Sequence, residues 1–76
     1  MRTDVIVDYK GQRFVIELKL WRGQQYQNDG QIQLAGYLEQ YQQDRGYLLT
    51  FNFNKNKKTG IWENVCKGKK ILEVIV

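Results

Sequence analysis

Residues 3–9, Thr3-Asp4-Val5-Ile6-Val7-Asp8-Tyr9, and residues 13–21, Arg13-Phe14-Val15-Ile16-Glu17-Leu18-Lys19-Leu20-Trp21, alternate with the period of β-strands. Lys10-Gly11 between them reads as a two-residue turn, glycine supplying the positive φ that tight hairpins require. Residues whose numbers sum to 21 then face each other: Asp4 opposite Glu17, Ile6 opposite Val15, Asp8 opposite Arg13. Lys19 falls on the same face one step beyond the carboxylate pair. The other face collects Val5, Val7, Tyr9, Phe14, Ile16, Leu18 and Leu20. A three-residue loop with a glycine bulge would shift the pairing by one and carry Asp4 onto the apolar face, so the hydrophobic pattern opposes it. Like charges directly opposite each other destabilise a sheet. The Asp4–Glu17 pair therefore asks for a reason, and a bound divalent cation supplies one.

At 76 residues the chain is read as one small domain, 1–76, near the lower limit for a self-sufficient core. Its single cysteine, Cys66, excludes a disulfide framework and suits a reducing compartment. The absence of histidine removes imidazole-assisted serine and cysteine catalysis and leaves too few nitrogen and sulfur ligands for zinc. Any chemistry here runs on carboxylates, lysine and a hard metal. Twelve Lys and Arg against eight Asp and Glu give a net charge of +4, which favours polyanionic partners. Lys55, Lys57 and Lys58, with Arg22, are the candidate contacts to a nucleic-acid backbone, a solvated basic loop being the plain alternative. No apolar run approaches membrane-spanning length and no signal peptide precedes the first strand, so a cytoplasmic protein without membrane partners is expected.

Beyond Trp21, residues 22–27 read as a Gln-rich mobile connector, and Asn28-Asp29 offers an N-cap. The pattern from Gly30 to about Arg45 is helical, with Leu34, Leu38 and Tyr41 in one stripe and Gly46 placed to end the helix in a left-handed cap. Residues 47–53 form the next strand. A strand, a helix and a strand in that order predict a right-handed crossover and parallel pairing with residues 13–21, hence a mixed sheet. Ile61 to Val65 is a candidate short strand. Residues 71–76 are a firmer one, expected to run antiparallel to the strand ending at Phe53.

Phosphodiester hydrolysis needs an in-line water and something to absorb the negative charge that builds on the phosphoryl group. Asp4 and Glu17, about 5 Å apart at Cβ when directly paired, could hold Mg²⁺ (or Mn²⁺), with the Leu18 carbonyl as a further hard oxygen ligand. Lys19 could orient the water or stabilise the transition state. Trp21 and Tyr26 border this region; they could stack on bases, although capping of the sheet edge by Trp21 and packing of Tyr26 on the connector is the plainer reading. Trp62 and Tyr41 read as core margin.

An Asp on one strand and Glu-x-Lys on the next, followed by a crossover helix, resembles the PD-(D/E)XK nuclease superfamily. Gln33-Leu34-Ala35-Gly36-Tyr37 fits the Gln-x-x-x-Tyr helix motif of its RecB-like branch, and Gly46 to Phe51 looks like the strand after that helix in nuclease-like tail domains of bacterial AAA-type ATPases. The similarity spans roughly residues 3–53. It implies an α/β (α+β) restriction-endonuclease-like mixed sheet with an antiparallel hairpin, one crossover helix, a parallel strand and a C-terminal strand. It also implies a metal-dependent deoxyribonuclease, with Asp4, Glu17, Lys19, Gln33 and Tyr37 in the active site and DNA as substrate. The alternative function is a catalytically inactive module for DNA binding or assembly within an AAA-type ATPase system. The family core usually places a helix and a strand ahead of the Asp-bearing strand, whereas here Met1 stands just before it. The Asp4/Glu17 face is therefore expected to lack its usual cover, and the exposed edge of residues 3–9 to pair two copies into a homodimer.

Overall fold

The computed structural model describes residues 2–76. Two strands, β1 (Arg2–Tyr9) and β2 (Gln12–Leu20), are followed by one helix, α1 (Gln24–Gln40), and three strands, β3 (Arg45–Phe51), β4 (Gly60–Cys66) and β5 (Lys69–Ile75). They form a small α+β domain with one mixed five-stranded sheet in the order β1-β2-β3-β5-β4.

The first hairpin has the register that the alternation predicts, with Asp4 opposite Glu17, Ile6 opposite Val15 and Asp8 opposite Arg13. Lys10 (φ 50°) and Gly11 (φ 77°) both take positive φ, as a type I′ turn demands. The C-terminal hairpin repeats the device: Lys67 (φ 51°) and Gly68 (φ 78°) join β4 to β5. β2 and β3 pair in parallel, as the crossover requires.

The last strand departs from expectation, because β5 runs parallel to β3 and antiparallel only to β4. The chain leaves β3, crosses the end of the sheet through residues 52–59, descends as the outer strand β4 and returns between the two. On the face toward α1, Ile71 and Ile75 of the interior strand β5 are buried, whereas Trp62, Asn64 and Cys66 of the edge strand β4 are half-buried.

α1 begins at Gln24, ahead of the expected Asn28-Asp29 cap, so most of residues 22–27 is helix rather than a mobile connector. Gly23 (φ 96°) opens it without a side-chain cap, and Gln24–Asn28 and Gln25–Asp29 side-chain hydrogen bonds tie successive turns. Glutamine is a good helix former. The helix also ends early. Gln43 N–H donates to the Leu38 carbonyl and Gln42 N–H to that of Glu39, with Gln42 at φ 56°. This is a Schellman ending in which Gln42 takes the left-handed position assigned above to Gly46. Gly46 lies within β3 instead, where a Cβ would sit 2.8 Å from Leu38 Cδ1. Its missing side chain is what lets α1 approach the sheet.

The core lies between α1 and one sheet face: Val15, Leu34, Ala35, Leu38, Leu48 and Ile71 are buried together, with Cys66 packed against them. In β2 the buried positions are Val15, Glu17 and Lys19. The helix therefore covers the charged face expected to lie open, and the apolar face of Phe14, Ile16, Leu18 and Leu20 is only half-buried. The reason is topological. A crossover of fixed hand delivers its helix to one face of the sheet whatever side chains that face carries.

Candidate active site

Strand alternation places Asp4, Glu17 and Lys19 on the α1 side, and the β2–β3 register sets Glu17 beside Leu48 and Lys19 beside Thr50. Their environments differ sharply. Asp4, on the edge strand, is exposed, whereas Glu17 and Lys19 are fully buried. Lys19 Nζ donates to the Tyr26 carbonyl at 2.6 Å and stands 3.9 Å from the centre of the Tyr26 ring. A hydrogen bond from a charged donor combined with a cation–π contact compensates an ammonium removed from water. Gly30 makes the room: a Cβ there would fall 2.5 Å from Lys19 Nζ.

The helix motif is brought to the same region but not into the buried cluster. At about 100° per residue, Tyr26, Gly30, Gln33 and Tyr37 fall within an arc of about 60°. Gly30 rests over Lys19, so Gln33 and Tyr37 belong to the helix flank nearest β2. Gln33 is exposed and Tyr37 half-buried, which puts them at the rim.

Two carboxylates facing across a hairpin are hard oxygen donors of the kind Mg²⁺ takes, and that ion is commonly held by one or two carboxylates while keeping several waters. Among the described residues no three Asp, Glu, Cys or His side chains converge. The facing carboxylates are Asp4, which is exposed, and Glu17, which is fully buried. Leu18, the expected third ligand through its carbonyl, is laddered to Thr3 on one side and Leu49 on the other.

A second polar cluster escaped the sequence reading. Glu73 in β5 is nearly buried, and its carboxylate accepts from Gln27 Nε2 at 2.7 Å, Gln31 Nε2 at 3.1 Å and Asn64 Nδ2 at 3.3 Å. Gln27 Nε2 also donates to Thr50 Oγ1 at 2.8 Å, so the network reaches the strand neighbour of Lys19. The signal was present: Glu73 is a lone carboxylate inside Ile71-Leu72-Glu73-Val74-Ile75. A buried carboxylate requires donors, and the glutamine-rich start of α1 is one polar tract able to supply several.

The basic residues divide between the two ends of the sheet. Lys55, Lys57 and Lys58 are exposed on the loop after β3, at the end where β2 runs out through Lys19, Trp21 and exposed Arg22. At the opposite end Lys69 is held by Glu39 at 3.0 Å and Asp44 at 3.7 Å, a structural role. On the first hairpin, the Arg13 guanidinium bonded to Asp8 at 2.9 Å holds that carboxyl below the usual carboxylate range, and Asp8 raises Arg13 in turn. No described helix is long and apolar enough to cross a membrane. Comparison with models of known families, with curated proteins and with solved structures finds no match for this chain.

Proposed function

We propose that this chain is a restriction-endonuclease-like, divalent-metal-dependent nuclease that hydrolyses phosphodiester bonds of DNA. The observation that carries the reading is the register pair Asp4–Glu17 with Lys19 on the same face, at the end of the sheet where the basic loop emerges. Asp4 and Glu17 hold Mg²⁺ (or Mn²⁺), which when bound neutralises charge on the scissile phosphoryl group and favours ionisation of the attacking water. Lys19 donates to that water or to a non-bridging oxygen, and the Tyr26 carbonyl and ring fix where the ammonium sits. Burial makes this charge more effective than it would be in water. Gln33 and Tyr37 on the helix rim contact the strand beside the break, and Arg22, Lys55, Lys57 and Lys58 track its backbone. Glu17→Gln and Lys19→Met should each lower Mg²⁺-dependent cleavage by on the order of a thousandfold, with the circular dichroism spectrum unchanged. Cleavage that survives either substitution refutes the assignment.

One observation favours a second reading, a non-catalytic module for DNA binding or for assembly with an AAA-type ATPase. Glu17 and Lys19 lie fully covered by α1, which limits the approach of a phosphate. Titration with Mn²⁺ separates the two: no heat of binding, together with retained DNA affinity, selects the module. We also propose a homodimer. β1 is an edge strand, an open template for pairing with a second copy. A monomer mass by light scattering at high concentration would remove this proposal.

A further inference from the structure

The nuclease reading leaves unused a cleft of about 370 Å³ at the end of the sheet where β2, β3 and β5 finish. We infer that this cleft, walled by Trp21 and Trp62, receives one unpaired nucleobase of a single-stranded stretch. Its volume lies near the low end for small-ligand pockets. In a sheet with parallel strands, the C-terminal strand ends are where ligands bind.

The lining chemistry selects the ligand class. Besides the two indoles, the walls carry the amides of Gln24, Asn52, Asn54, Asn56 and Asn64, with Ile75 and the Glu73 carboxylate, which is already met by Gln27, Gln31 and Asn64. Amides present a neutral donor and acceptor together, matching the edge of a base rather than an anion. Indole faces stack on any base. The exposed Lys58 holds its Nζ over the Trp62 ring, 5.2 Å from the centre, so a base stacking on that face would displace the ammonium toward the nucleotide's phosphate.

The walls are also fixed in advance. Asn52 is buried, its N–H donates to the Val76 carbonyl at 2.7 Å, and its Oδ1 accepts from the Asn54 N–H at 3.0 Å. Asn64 gives its Nδ2 to Glu73 at 3.3 Å, which fixes its amide at the wall. Gly60 (φ 154°) lies directly against the Trp62 ring, where a Cβ would come within 2.9 Å of it. Any side chain at residue 60 would displace the indole.

Position joins the cleft to the proposed site, since Trp21 follows Lys19 after Leu20 and the Glu73 network connects Asn64 through Gln27 to Thr50, the neighbour of Lys19. The choice of a nucleic-acid strand as ligand rests on the nuclease reading; the base-sized amide and indole site rests on the cleft itself.

The test compares a fluorescently labelled single-stranded oligonucleotide with a strand of the same length built from abasic units, by anisotropy in EDTA so that nothing is cut. The natural strand should bind about tenfold tighter or more. Trp62→Ala should bring its affinity down to the abasic level without changing abasic binding, and Trp62→Phe should restore most of the difference. Gly60→Ala should act like a weaker Trp62→Ala. Lys58→Ala should weaken both strands and lower the salt slope. Equal binding of the two strands by the unaltered protein, equal loss for both in Trp62→Ala, or no binding of either overturns the proposal. Cleavage that needs Glu17 together with equal binding of the two strands refutes the cleft alone. Base-dependent binding with no Mg²⁺-dependent cleavage refutes the nuclease alone.

Discussion

The two faces of the sheet differ in what they bury. Under α1 lie Glu17, Lys19, Thr50 and Glu73, all buried. On the far face Ile16, Leu18, Leu20, Leu49, Phe51, Leu72 and Val74 are half-buried, and Ile61 and Val65 are exposed. A covered carboxylate or ammonium is costly unless donors, acceptors or charges meet it. Beside those groups on the same face lie Val15, Leu48, Ile71 and Ile75, so the covered side holds the apolar core and the charged groups together. The far face, meanwhile, is large: five strands about 4.8 Å apart and about 3.3 Å per residue give roughly 24 by 23 Å. It is not uniformly apolar, since Arg45, Glu63 and Lys70 share it with the apolar residues.

The sharpest way to break this comparison is to truncate one side chain on each face. Leu48→Ala, beneath the helix, should cost about 2–5 kcal/mol in urea unfolding, a large share of what a domain of this length has. If Ile61→Ala on the far face costs as much, the far face is part of the core and the contrast fails. Next in size is Glu73→Leu, which strands the amide donors of Gln27, Gln31 and Asn64. A loss of about 1–3 kcal/mol is expected, and a neutral outcome would mean that the network is solvated rather than buried.

Ile61→Thr with Val65→Thr should move monomer stability by no more than about 0.5 kcal/mol while lowering self-association in sedimentation. Unchanged association would confine pairing to the β1 edge. The smallest effect is reserved for the exposed Asp8–Arg13 pair, which lies on neither covered surface. Because Arg13 lowers the Asp8 carboxyl, the pair contributes at neutral pH, above the unfolded-state value, and the contribution disappears as pH falls through the lowered one. Asp8→Asn should therefore be slightly less stable than the parent near neutrality and indistinguishable from it in strong acid. A difference that persists in acid would locate the effect elsewhere.

The first hairpin was legible down to its register, because strict alternation and a Lys-Gly turn leave one pairing that keeps the apolar residues together. The parallel β2–β3 pair followed from chain order. The start of α1 was hidden because its first buried residue is an amide, Gln27, and apolar periodicity says nothing about a polar contact. The neighbours of β5 were hidden because adjacency along the chain favoured an antiparallel return, while the outer place went to β4. Of the site, Asp4, Glu17 and Lys19 were visible as a cluster; that α1 would close over two of them depended on the hand of a crossover, which no residue type records.

The bond from Lys19 to the Tyr26 carbonyl has a bearing on motion. First turns of helices fray and their amide hydrogens exchange early, yet this one is pinned from beneath by a buried cation. The bonded amides from Gln27 onward should exchange with those of the core strands. A phosphate that draws the ammonium toward itself loosens the pin, so occupancy of the site would register as faster deuterium uptake at the beginning of α1.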